Sequence, residues 1–200
     1  MAVSGLTLRP DTLDRMVRAV EKVRERLLRA TAALGAAGIP YAVVGGNAVA
    51  VWVAQVDEGA VRNTRDVDIL LRRSDLETAK ETLSREGFVY RHVRGLDIFR
   101  DGADSRVRDS VHILFAGERM TGDEILPNPE IEESVQTAEY RVLNLEALVR
   151  SKLVAWRLKD QVHIQDMLDV GLIDQAWVAR FPPQVAERLQ HLIDTNPGWR

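Results

Sequence analysis

The chain is 200 residues long, 46% hydrophobic and 28% charged, with a formal net charge of −3 and a pI near 5.9. That is enough apolar material for one sizeable core, and the charge balance neither demands a nucleic-acid partner nor excludes a locally basic groove. Cysteine is absent, which removes disulfides, thiolate metal sites and thiol redox chemistry and makes cytoplasmic residence the expectation. The first ten residues lack the basic start and apolar run of a secretory leader. The longest apolar stretch, 41–54, is interrupted by glycines and Asn47 and falls short of the roughly 20 residues that cross a bilayer, so no membrane partner is expected.

From Asp11 to Leu34, apolar residues recur at Leu13, Met16, Val17, Val20, Val23, Leu27, Ala30 and Leu34, the period of a long amphipathic helix, which Gly35, Gly38 and Pro40 end. Tyr41–Val44 reads as a buried strand, followed by the pair Gly45-Gly46 and a helix from Asn47 to Gln55. After a loop at Asp57-Glu58-Gly59, Asp66–Leu71 reads as a second strand. Ser74 and Glu77 then have the spacing of a capping box for a helix that runs to Glu86 and stops at Gly87. Three more strands are expected over 88–93, 97–100 and 106–115, with Gly95 and Asp101-Gly102 as turns.

Pro127-Asn128-Pro129 breaks the pattern. Beyond it, Asn144 is placed to cap a helix to Leu158, a second helix is expected over 161–170, and Pro182-Pro183 opens a third through Ile193. The fold class expected is therefore α/β (α+β), a mixed β-sheet flanked by helices with a helical C-terminal region. Three parts are expected: an N-terminal helix within 1–35, a core over 36–126 and the helical region over 127–200.

Two features carry chemistry. Asp66 and Asp68 stand i, i+2 on one short apolar strand, so both leave the same face while Val67 and Ile69 leave the other. Like charges that close repel, and a divalent cation would repay the repulsion; a solvated pair at a sheet end is the plainer alternative. Gly45-Gly46, between a strand and a helix, lets a ligand phosphate approach free helix N–H groups, and equally suits a tight turn needed only for packing. No Gly-Lys-Ser/Thr follows, so this is not a Walker loop, and no third glycine makes it a dinucleotide fingerprint.

Gly45-Gly46 followed by Arg62-x-Thr64-x-Asp66-x-Asp68 resembles the nucleotidyltransferase superfamily of the DNA polymerase β type, and most nearly its AbiEii-like and uncharacterised bacterial families. The resemblance covers 36–120 by motif and extends more loosely into the C-terminal helices, where Lys152 and Asp166-x-x-Asp169 resemble later motifs of the AbiEii-like group. It implies that Gly45 and Gly46 hold a triphosphate, that Asp66 and Asp68 bind Mg²⁺ or Mn²⁺ and are catalytic, that Arg62 and Thr64 support the loop, and that Lys152 touches phosphate. The chemistry suits these residue types, because nucleotidyl transfer is an in-line displacement at phosphorus that depends on positioning and on charge neutralisation by metal ions.

The resemblance also implies a third acid on a later strand. The matching segment is Ser110-Val111-His112-Ile113-Leu114-Phe115, which offers His112 there. His112 then either serves as general base or ligand to a transition ion, or is a hydrogen-bonded sheet histidine beside an incomplete metal shell. Asp109 is the other candidate acid, on the opposite strand face unless a bulge shifts the register. Lys152 shares a helix stripe with Leu145, Leu148, Val149 and Trp156, and either snorkels from the core edge or reaches the cleft. Asp166 and Asp169 share one helix face and could pair with Lys152 or an arginine, and His163 reads as part of a solvated face. The function expected is transfer of NMP from an NTP to a hydroxyl of a small molecule, a protein or tRNA. The alternative is a catalytically weakened, nucleotide-binding or toxin–antitoxin-type module with a protein partner.

Overall fold

The computed structural model describes residues 11–102, 105, 109–120, 122 and 124–195. Its centre is a seven-stranded mixed sheet. In chain order the elements are α1 (Thr12–Ala36), β1 (Tyr41–Val44), α2 (Gly45–Ala54), β2 (Val67–Leu71), α3 (Leu76–Arg85), β3 (Phe88–Val93), β4 (Leu96–Asp101), β5 (Ser110–Phe115), β6 (Ser134–Gln136), β7 (Arg141–Leu143), α4 (Leu145–Ala155), α5 (Leu158–Asp169) and α6 (Pro183–Thr195). Across the sheet the strands run β3-β4-β5-β2-β1-β7-β6.

β1 is antiparallel to β2 and parallel to β7, while β2 is parallel to β5. The central strands are buried on both sides, which is why β1 reads as an unbroken apolar run and not as an alternation. One face carries Val67, Ile69, Val111, Ile113 and Phe99, in register across β2, β5 and β4. α1 and α3 cover this face: the Arg29 guanidinium lies 4.5 Å from the Phe88 ring centre and the Lys80 ammonium 4.1 Å from that of Tyr90. The opposite face presents Asp68 and His112, and α4 stands over it.

Several elements differ from the sequence reading, each for a local reason. The long helix forms, but only its C-terminal half is covered, by way of Leu27, Ala30 and Leu34, and Leu13, Met16 and Val17 are exposed. The capping box does not form. Residues Arg73–Asp75 make a 3₁₀ turn, the Ser74 hydroxyl lies 3.4 Å from Asp75 Oδ1, and no side chain caps α3. Asn144 does cap α4, accepting from the Ala147 N–H at 2.9 Å.

α4 stops at Ala155, three residues early, because Trp156 turns left-handed (φ +52°) and returns its N–H to the Lys152 carbonyl. α5 accordingly starts at Leu158 and not at Gln161. The stretch after Pro129 is not wholly helical, since β6 and β7 add two short strands to the sheet. Of the strand expected over 106–115, β5 covers Ser110–Phe115, Asp109 lies in the turn before it, and 106–108 lie outside the described residues, as do 1–10. No helix among the described residues is long and apolar enough to cross a membrane.

Candidate active site

β1 and β2 run antiparallel with Val44 opposite Asp68, so the end of one strand delivers the chain into Gly45 beside the start of the other. Gly45 has φ +68°, and a Cβ built on it would lie 2.0 Å from Asp68 Oδ2. Only glycine tolerates both the left-handed backbone and that approach. Gly46 is pressed in the same way by the next loop: a Cβ there would lie 2.9 Å from the Cβ of Thr64. α2 begins at Gly45 itself, two residues before the expected start, so both glycines belong to its first turn, where the backbone N–H groups lack helical acceptors.

Asp66 lies just before β2 rather than within it. Its backbone is fixed by Asn47, whose Nδ2 donates to the Asp66 carbonyl at 2.8 Å, with Thr64 Oγ1 at 3.5 Å from the same oxygen. Arg62 is tied by its Nε to both oxygens of Asp166 on α5, at 2.7 and 2.9 Å. The arginine partner open to Asp166 from sequence is thus Arg62, and the guanidinium tethers the loop that leads into Asp66.

On β5, His112 stands directly beside Asp68, with Nδ1 at 3.4 Å from Oδ1. Among the described residues, Asp66 makes no ion pair, and no three His, Asp or Glu side chains gather into a metal-holding group. A pair of carboxylates is enough for a divalent ion whose remaining ligands are substrate phosphates and water, the usual way Mg²⁺ is held.

Lys152 lines the cleft but is buried, and its Nζ donates to Asp160 Oδ1 at 2.9 Å. Asp160 is fully buried and also accepts from Arg157 Nε at 2.7 Å. Burial pushes the Lys152 ammonium down from its ordinary pKa, against the opposing pull of Asp160. Burial would raise Asp160, but the Arg157 hydrogen bond and the Lys152 charge outweigh it and hold the carboxyl below its usual value. Sequence reasoning missed Asp160 and Arg157. The one available signal was their i, i+3 spacing; the break at Trp156 that brings Asp160 back onto Lys152 left no pattern of its own. His163, read as solvated, is instead half-buried, with Nδ1 unpartnered among the described residues, and desolvation lowers its pKa to about 4.

These groups border one cleft of ≈ 250 Å³, floored by β2, β5 and Leu96 and walled by α4. Gly45, Asp66, Asp68, His112 and Lys152 all line it. Arg62 and Thr64 do not; they line a separate groove between α1 and α2.

Among solved structures, the chain is similar to an antigenic nucleotidyltransferase-like protein from Paracoccidioides brasiliensis, at 14% identity over 88% of this chain and 89% of that one, with a TM-score of 0.55. It is also similar to ANT(2″)-Ia in complex with adenylyl-2″-tobramycin, at 14% identity over 92% and 98% of the two chains and a TM-score of 0.48. For JHP933 from Helicobacter pylori the values are 14%, 96% and 84%, and 0.43. At such identities the likeness is one of fold. A comparison with curated proteins finds no match. The model of a family described as uncharacterised nucleotidyltransferase matches residues 10–149, most of the chain, and the chain belongs to that nucleotidyltransferase family.

Proposed function

We propose that the chain binds an NTP with Mg²⁺ or Mn²⁺ and transfers NMP to a hydroxyl acceptor. The observation that carries this reading is the close approach of Gly45 to Asp68, which brings the first turn of α2 and the acidic strand end to one point. Backbone N–H groups at Gly45 and Gly46 receive the polyphosphate, where the helix dipole favours anions. Asp66 and Asp68 would hold the divalent ion, which when bound offsets charge on the transferring phosphoryl group. Lys152, hydrogen-bonded to Asp160, stands at the wall of the same space. Arg62 and Thr64 act one step back, by fixing the loop that sets Asp66.

The acceptor's hydroxyl approaches from the β5 side, toward His112. A specific observation favours the second reading, a weakened module that binds nucleotide or a protein partner: the strand position facing Asp68 is an imidazole where an acid is expected. One experiment separates the two. Labelled ATP, GTP, CTP and UTP are offered with Mg²⁺ and Mn²⁺, with and without bulk tRNA, and pyrophosphate release is followed. Metal-dependent release that Asp68→Asn abolishes supports the enzyme; nucleotide binding without release supports the module.

A further inference from the structure

We propose that the β4–β5 side of the cleft is an acceptor subsite for a hydroxyl carried on a planar apolar body. The inference rests on the nucleotidyl-transfer reading above and names its acceptor. Asp68 and His112 form one row across the sheet, and two residues further along the same face Leu70 pairs with Leu114. β4 faces β5 with Ile98 opposite His112 and Asp97 opposite Ile113, a register that carries Leu96 to the side of Leu114. A row of three leucines therefore lies one strand repeat, about 6.6–6.8 Å, from the acidic row. All three line the cleft.

Leu96 is 40% exposed and Met120 48% exposed, so this apolar surface is not used up by internal packing. Pro127 and Pro129 line the same cleft. Of the polar groups among them, Glu124 Oε2 accepts from the Met120 N–H at 2.7 Å, and Asn128 Nδ2 donates to the Phe115 carbonyl at 3.0 Å. This side thus offers an apolar wall beside the Glu124 carboxylate, and Arg157 and Lys159 line the same cleft. Such a surface recognises a ring by area and leaves orientation to the polar row.

The direction of reaction puts the acceptor here. In an in-line displacement the nucleophile and the leaving group lie on opposite sides of the phosphorus. Pyrophosphate departs toward Gly45 and the α2 N-terminus, on the β1 side, so the hydroxyl enters from β5 and β4. Its oxygen forms the new bond to the α-phosphorus, and the bond from that phosphorus to the bridging oxygen breaks, with the electron pair leaving on pyrophosphate. The hydroxyl proton passes to water.

The test uses the full chain with Mn²⁺, 2-naphthol as a neutral planar probe whose fluorescence reports binding, and tobramycin and deacylated bulk tRNA as rival acceptors of label from α-³²P NTPs. Leu96→Glu and the conservative Leu96→Met are compared at an exposed position, with melting temperatures as the fold control. The expected result is naphthol binding that weakens at least about tenfold in Leu96→Glu, persists in Leu96→Met and is indifferent to a non-hydrolysable NTP analogue, with label passing to naphthol over both rivals. Label that goes to tobramycin or tRNA and not to naphthol overturns the proposal. So does displacement of naphthol by the NTP analogue, which assigns the wall to the nucleobase. Naphthol binding with no label on any acceptor overturns the catalytic reading of Asp66 and Asp68, and the acceptor role with it.

Discussion

His112 and Asp68 stand side by side on neighbouring parallel strands, with Nδ1 3.4 Å from Oδ1. This is longer than a charge-assisted hydrogen bond of about 2.7–2.9 Å, and close to the separation of two donors that share one ion at about 2.0–2.2 Å from each. Imidazole suits transition ions better than Mg²⁺. His112→Ala should therefore weaken Mn²⁺ binding by about tenfold while leaving Mg²⁺ binding nearly unchanged, and His112→Asp should reverse the preference. Calorimetric titration of both ions in the presence of an NTP analogue checks this; equal losses for both would contradict it.

Gly45→Ala should remove metal and nucleotide binding, because the new methyl group would have to displace the Asp68 carboxylate. Gly38 provides the control. It has the same φ of +68° but nothing within 4 Å of an added methyl, so Gly38→Ala carries only the backbone penalty of about 1–2 kcal/mol. Thermal melts and nucleotide titrations of the two variants should agree on backbone strain and part on binding.

Asp160 bridges Lys152 and Arg157, so its removal leaves a buried ammonium without a partner. Asp160→Asn should destabilise by about 3–5 kcal/mol. Lys152→Met should cost less, because Asp160 keeps Arg157. Urea denaturation of both variants tests the order, and a Lys152→Met loss equal to that of Asp160→Asn would place the stability elsewhere.

His163 supplies a pH dependence. Its pKa falls from an ordinary 6.5 to about 4 because burial disfavours the charged ring, with the Lys152 charge acting the same way and Asp160 and Asp166 against it. Between those values the unfolded chain binds more protons, so stability rises with pH across the window and is lost as pH falls from about 6.5 toward 4. His163→Gln should flatten the slope of melting temperature over that range. Asp160, whose pKa is lowered, adds a loss of the same sign at lower pH in both proteins, so the difference between them isolates the histidine.

Much of the site was legible because strand period and glycine chemistry are local. The spacing of Asp66, Asp68 and Gly45-Gly46 survives as a real juxtaposition, although Asp66 turns out to precede β2. The pairing of His112 with Asp68 follows from a parallel register that no local pattern announces. Lys152 shows the limit most clearly: its stripe allowed a cleft-lining lysine, but its partner Asp160 arrives through a left-handed Trp156, a residue with no intrinsic preference for that conformation. β6 and β7 were missed because three-residue strands carry too little periodicity to stand out from loops. The exposed stripe of α1 is the converse case, since a clear helical period says nothing about how much of the helix the body of the protein covers.

In the proposed function, Asp66 and Asp68 hold a metal–nucleotide complex at the Gly45-Gly46 turn. Calorimetric titration of the wild-type chain and the Asp66→Asn/Asp68→Asn double variant with a non-hydrolysable NTP analogue, with and without Mn²⁺, tests it most directly. The expected result is metal-dependent binding to the wild type that the double variant loses while melting as a folded protein. Nucleotide affinity that is the same in both proteins, or absent from both at millimolar concentration, would contradict it.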